Sequence, residues 1–223
     1  MKKQKGDEEM FIKDPKGIEN ESFRIISEEV NMKDLTLFEK LIVTRVIHTT
    51  GDTGYKDLVK IHPKAINNAA NAMEKGLTIY TDTKMTLSGI NSVNFKKLGG
   101  QVFNFTHDED VKQAARERGE TRSMVGLEKA FLQNEINFFA IGNAPTALFQ
   151  LIDLVKKHNK MPSLVVGVPV GFVGAAESKE ELIKSNIPYI SVRGRKGGSP
   201  VAAAIINGLM KIKLGEYDGE IYK

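Results

Sequence analysis

The run Pro188-Tyr189-Ile190-Ser191-Val192-Arg193-Gly194-Arg195-Lys196-Gly197-Gly198-Ser199-Pro200 passes from an apolar, β-prone segment through a basic glycine turn into the small-residue stretch 201–209. Strand, turn and helix in that order form the unit of a wound α/β sheet, and the chain repeats it. Short β-prone runs recur at 77–80, 102–105, 138–141, 164–168 and 189–192. Helical segments at 109–118, 122–132, 146–157 and 178–184 lie between them. Such alternation implies right-handed crossovers, and therefore a parallel sheet with helices on both faces. Ahead of it, 18–30 and 35–48 carry apolar residues at helical spacing, and Pro63 is placed to open a third helix through Glu74.

The pattern predicts a three-layer, doubly wound α/β domain, with a mainly parallel five-stranded sheet of flavodoxin-like or Rossmann-like form and an N-terminal helical addition. At 223 residues the chain can bury one such core, and no linker-like tract divides it. One domain is expected over 15–213, between a basic, disordered arm (1–14, with Lys2, Lys3 and Lys5) and a polar tail (214–223). A net charge of +4, no Trp and 7% aromatics make a poor nucleic-acid signal. The absence of cysteine removes disulfide and thiolate chemistry and fits a reducing compartment. No 18-residue apolar run or signal-peptide core is present, so a cytoplasmic protein with neither membrane nor nucleic-acid partner is expected.

In wound sheets, ligands bind outside the carboxyl ends of the strands. Four polar or glycine-rich loops are expected there: Thr81-Asp82-Thr83-Lys84, Gly142-Asn143-Ala144-Pro145-Thr146, Pro169-Val170-Gly171-Phe172-Val173-Gly174 and the basic turn. Any one of them reads equally well as an ordinary βα loop; together they suggest one shared site. Glycines admit close backbone approach, and Arg193, Arg195 and Lys196 favour an anionic ligand. The glycine spacing of 167–174 is not that of a dinucleotide fingerprint, and Lys196 precedes Gly197-Gly198 where a Walker A lysine would follow. No Gly-x-Ser-x-Gly elbow occurs. The histidines lack metal-ligand spacing: His62 and His158 read as surface residues, and the acids beside His107 as the cap of the next helix. His48 stands apart, at a helix end followed by Thr49-Thr50-Gly51-Asp52, whose hydroxyls and carboxylate could orient an imidazole. Satisfying free carbonyls at that helix end is the competing reading. Arg45 lies one turn earlier on the same face.

The segments 45–52, 81–91, Thr121-Arg122-Ser123, Gly142-Asn143-Ala144-Pro145-Thr146-Ala147-Leu148-Phe149, 168–179 and 193–200 together resemble the precorrin-8X (cobalt-precorrin-8) methylmutases, over about 15–209. The resemblance implies an isomerase of cobalamin biosynthesis that moves a methyl group from C-11 to C-12 of the contracted tetrapyrrole, giving hydrogenobyrinate or cobyrinate. It implies a homodimer of flavodoxin-like subunits with sites near the interface, no metal in the protein and no cofactor. The family's catalytic histidine maps onto His48, and its substrate-contacting serine and arginine onto Ser22 and Arg45. Asp82, Lys84, Arg122, Ser123, Asn143, Arg193 and Arg195 complete the expected substrate-binding set. Thr49-Thr50-Gly51-Asp52 looks more like the cobalt-dependent branch.

The chemistry of such a substrate suits these residues. Rim carboxylates call for Arg45, Arg122, Arg193, Arg195 and Lys196, and a broad apolar macrocycle for Val170, Phe172 and Val173. A [1,5]-sigmatropic shift needs one placed proton and a held geometry, not a nucleophile. A tetrapyrrole carrier that shares the anchors, or a phosphate-binding α/β enzyme using Gly197-Gly198, are the rival readings. Leu37, Leu41, Ile42, Met85, Leu87 and Ile90 exceed what the sheet needs for cover and suggest an interface, with packing on the sheet edge as the competing reading.

Overall fold

The computed structural model describes residues 14–219. Lys2, Lys3 and Lys5 of the expected arm, and residues 220–223 of the tail, lie outside the described residues. Helices α1 (Pro15–Glu29) and α2 (Leu37–Thr50) come first. A one-turn helix α3 (Tyr55–Leu58) leads into strand β1 (Val59–Ile61) and then α4 (Ala65–Glu74). Strand β2 (Thr78–Thr81), helices α5 (Lys84–Gly89) and α6 (Ser92–Lys97), and strand β3 (Gln101–Phe103) follow. Then come α7 (Glu109–Arg118), α8 (Arg122–Phe131), β4 (Phe138–Ile141), α9 (Pro145–His158) and β5 (Leu164–Gly167). The last elements are α10 (Ala175–Lys184), β6 (Tyr189–Val192) and α11 (Ser199–Leu214). Among the described residues, no helix is long and apolar enough to cross a membrane.

The sheet runs β1-β6-β5-β4-β2-β3. Strands β2 to β6 are mutually parallel, while β1 lies antiparallel on β6 with Val59 opposite Val192. The expectation of five strands is therefore corrected to six. β1 escaped the sequence reading because three residues between a one-turn helix and Pro63 carry no periodicity. Its position covers what would otherwise be the free edge of β6. The third helix begins at Ala65 rather than Pro63, which stays in the turn before it.

Side chains alternate strictly between two cores. Ile79, Phe138, Ala140, Leu164, Val166 and Ile190 point to the layer of α2, α4 and α11. Tyr80, Phe139, Ile141, Val165 and Tyr189 point to the opposite layer, with α8 and α9. Helix α2 is thus no addition to the domain: Leu41, Ile42 and Val46 are fully buried against Val201, Ile205 and Ile206 of α11. Only α1 sits outside that layer, placing Phe23 and Ile26 on α2. The interface expected of Leu41, Ile42 and Ile90 is corrected in the same way, since all three are core residues. Leu37 and Met85 remain exposed.

Candidate active site

Every parallel strand delivers its following loop to one edge, and hydrogen bonds tie those loops together. The β5 and β6 loops are joined by Gly198 N–H to Val168 O (2.8 Å) and Gly171 N–H to Arg195 O (3.1 Å). Gly197 adopts φ 151° there, and a Cβ on it would stand 2.3 Å from the Val168 carbonyl oxygen. The turn requires glycine for both reasons. Thr83 Oγ1 shares hydrogen bonds with Ser199 Oγ (2.9 Å) and Thr86 Oγ1 (3.0 Å), joining the β2 loop to the start of α11.

The basic turn is exposed along residues 193–196. Arg193 Nε pairs with Glu180 at 3.0 Å, and the Arg195 guanidinium stacks over the Phe172 ring at 5.4 Å. Phe172 and Val173 are 83% and 89% exposed, so a large apolar surface stands beside the cations. Lys196 pairs with Asp52 and lies over Tyr55. The Lys196 ammonium holds the Asp52 carboxyl below its usual range. That pair fastens the turn to the end of α2.

His48 is exposed in the last turn of α2, which ends on Gly51 at φ 64°. Its ring meets Phe23 edge-on at 5.3 Å, and Arg45 lies over the same ring at 5.2 Å. Phe23 therefore touches both residues. The expectation that Thr50 and Asp52 orient the imidazole is corrected: Thr50 donates back to Val46 O, while Asp52 takes Lys196 and the Gly54 N–H. Arg45 is mostly buried and reaches Glu19 at 3.2 Å, leaving its Nε without a partner. Burial raises the Glu19 carboxyl, but Arg45 and Lys211 outweigh it and leave it below the usual range. Ser22 adjoins Phe23 in α1 and donates to Ile18 O at 2.8 Å.

Asp82 is 2% exposed, at the point where the chain's strand order reverses between β2 and β4. Its oxygens accept N–H bonds from Gly142 (3.0 Å), Asn143 (2.8 Å) and Ala144 (2.8 Å), just ahead of α9. Burial pushes this carboxyl up, against the pull of the three donors. Its expected contact with substrate is corrected to a structural one, because both oxygens are committed inside the protein. A helix N-terminus at the switch point is where a phosphate would ordinarily bind, and here the chain's own carboxylate holds it. Lys84 and the Asn143 side chain are exposed on the same edge.

Arg122 is exposed and Ser123 half-buried at the start of α8. Arg122 lines a cleft of about 590 Å³ with Lys112, Arg116 and Thr121. Thr121 meets Thr146 at 3.1 Å, which ties this cleft to the β4 loop. The structure therefore gathers His48, Arg45 and Ser22 at one end of the edge, next to Lys196. Arg122, Ser123 and Asn143 stand at the other end, beyond β5 and β4. The strand spacing makes the sheet-edge step from β6 to β4 about 10 Å. Sequence reasoning missed Lys112, Arg116 and Glu19, whose helical spacing reads as ordinary solvated surface. The acids near His107 serve Lys129, which Asp108 and Asp110 each reach at 2.8 Å. His62 is half-buried and accepts the Lys64 N–H at its Nδ1. Among the described residues, no cluster of His, Cys, Asp or Glu is arranged to hold a metal ion.

The model of the family described as precorrin-8X methylmutase, CbiC, matches residues 17–212. A cobalt-precorrin-8 methylmutase of Leptospira interrogans is 43% identical over 203 residues, covering 87% of this chain and 92% of its own length. One from Salmonella typhimurium is 44% identical over 206 residues, covering 90% of this chain and 96% of its own. The crystal structure of precorrin-8x methyl mutase from Thermus thermophilus superposes with a TM-score of 0.82 at 32% identity, over 91% of this chain and 98% of that one. With the fold, the match and its extent all in agreement, this chain belongs to the precorrin-8X methylmutase family, isomerases of cobalamin biosynthesis.

Proposed function

We propose that this protein moves the methyl group of (cobalt-)precorrin-8 from C-11 to C-12 by an acid-assisted [1,5]-sigmatropic shift, with His48 as the proton donor. The observation that carries this is the Lys196–Asp52 pair, which brings the cationic turn beside the helix end that bears His48. Rim carboxylates would meet Arg193, Arg195 and Arg122, with the macrocycle over Val170, Phe172 and Val173. Arg45 lies over Phe23, which meets His48, and Ser22 adjoins Phe23 in α1; there they would hold the reacting side of the ring. Exposed Lys84, Ser123 and Asn143 would complete the polar rim. Placing one proton contributes on the order of 10² to 10⁴ in rate, and confinement of the macrocycle supplies the remainder. The migrating methyl belongs to the substrate, so the step as written draws on no cofactor. The names of the Leptospira and Salmonella relatives support the cobalt-bearing substrate. The Gly198 N–H, already given to Val168 O, speaks against the rival phosphate enzyme, which would use the Gly197-Gly198 turn.

The five parallel strands follow the order second, first, third, fourth, fifth, which supports the flavodoxin-like reading of one domain over 15–213. Exposed Leu37, Met85 and Val93 support a two-fold homodimer with the site near its interface. The lack of cysteine agrees with a cytoplasmic enzyme. The test is incubation of the purified protein with cobyrinate, followed by gel filtration with light scattering. Bound, coloured corrinoid on a dimer is the expected result, with specific activity falling as the dimer is diluted. Stabilisation by nucleotides and not by corrinoids would overturn the assignment, and a fully active monomer would overturn the dimer.

A further inference from the structure

Lys179, in the second turn of α10, is 0% exposed, and among the described residues it is the only fully buried cation. Its Nζ donates to the carbonyl oxygen of Lys196 at 2.6 Å. Among the described residues, no carboxylate is paired with it, although its neighbour Glu180 pairs with Arg193. A buried ammonium without a counter-ion is costly, and burial alone pushes Lys179 down to about 8. The cost falls at one place, the underside of the basic turn. From there the connections run outward: the Lys196 carbonyl is held from beneath, and the Lys196 ammonium reaches Asp52 at the end of the helix carrying His48. The same turn is clamped to the β5 loop through Arg195 O and Gly198 N–H. Several hydrogen bonds and ion pairs therefore converge on residues 193–198, and Lys179 supplies one from a fully buried side chain.

We propose that Lys179 is a positioning residue for substrate binding: its ammonium holds the turn in the form that presents Arg193, Arg195 and Lys196 to the corrinoid carboxylates. This rests on the reading of that turn as the carboxylate clamp. Carboxylates bound above the turn also supply the negative charge that the buried ammonium lacks within the protein, so the clamp and its support strengthen each other.

The experiment is a titration of the wild type, Lys179→Met, Lys179→Gln and Arg193→Ala with cobyrinate as its free acid, read by visible absorbance after equilibrium dialysis. Lys179→Met should weaken binding about tenfold, and Lys179→Gln, which keeps a donor, should recover part of that loss. Turnover at saturating substrate should stay within a few-fold of wild type, so the loss appears in KM. Combined with Lys196→Ala, Lys179→Met should cost less than the product of the two single losses, since both act through one turn. Combined with Arg122→Ala, at the far end of the edge, the losses should multiply. If Lys179→Met binds as wild type while Arg193→Ala is weakened, the positioning role fails and the clamp stands. If neither change weakens binding, the clamp itself fails. Should neither Lys179 variant fold, the residue belongs to the core of the fold and the proposal is overturned.

Discussion

Two regions of the same sheet edge treat negative charge in opposite ways. At the switch point between β2 and β4, three N–H groups ahead of α9 converge on Asp82, and the site is closed by the chain's own carboxylate. Two strands away, after β6, the cations of 193–196 stand exposed beside Phe172 and Val173, with only side-chain partners at their flanks. One place has backbone donors and no vacancy; the other has exposed guanidinium forks and open apolar surface. A small phosphate suits the first geometry, whereas a wide, carboxylate-rimmed macrocycle suits the second. On the proposed reading, an α/β edge is turned from nucleotides to a tetrapyrrole by filling one crevice and arming its neighbour.

The sharpest division between the two regions concerns chemistry. Replacing His48 with Phe should lower turnover by about 10² to 10⁴ while cobyrinate still binds, because the anchors are untouched; stopped assays paired with dialysis read both quantities. Turnover at the wild-type rate would remove His48 from the reaction.

At the closed region the effect should be on stability. Asp82→Ala leaves three inward-facing N–H groups without their acceptor, a loss of about 3 kcal/mol or more. The melting midpoint should fall by about 6–12 °C, and inorganic phosphate should restore part of it in the variant alone. A variant as stable as the parent would show that the crevice was not held shut by this carboxylate.

The open region should respond in affinity. Arg193→Ala and Arg122→Ala should each weaken cobyrinate binding about tenfold, the lower end for charge-assisted contacts, since both side chains are solvated. Lysine at either position should rescue only partly where the contact is bidentate. Fully esterified corrinoid should bind poorly to the parent protein. Equal affinity for ester and acid would sink the clamp.

A pH dependence should mark the buried support beneath the open region. Lys179 has a folded value of about 8 against an ordinary 10.5. Between those values the unfolded chain binds the extra proton, so folding stability should rise as pH increases through about 8 to 10.5. Below about 8 the burial penalty is fully present. In Lys179→Met that rise should vanish, which melts at pH 7 and 9.5 would detect; an identical slope in both proteins would contradict the buried charge.

The parallel architecture was legible because strands buried on both faces are continuous apolar runs, as at Phe138–Ile141 and Tyr189–Val192. Boundaries of α7 and the placing of four loops on one edge followed from the same alternation. The three-residue β1 was not legible, nor was the membership of α2 in the core layer. A helix's periodicity shows that it has an apolar face but not which neighbour covers it.

What the chain alone determined was its local chemistry: the glycines of the basic turn, the histidine at a helix end, and the strand-helix rhythm. Those depend on residues adjacent in sequence, where backbone sterics and side-chain spacing decide the outcome. Only the tertiary structure decided which polar groups face inward. It set Asp82 on α9, gave Arg45 to Glu19, and buried Lys179 beneath Lys196. Each of these joins residues 17 or more apart in the chain, and such pairings arise from how the layers close over the sheet rather than from any pattern along it.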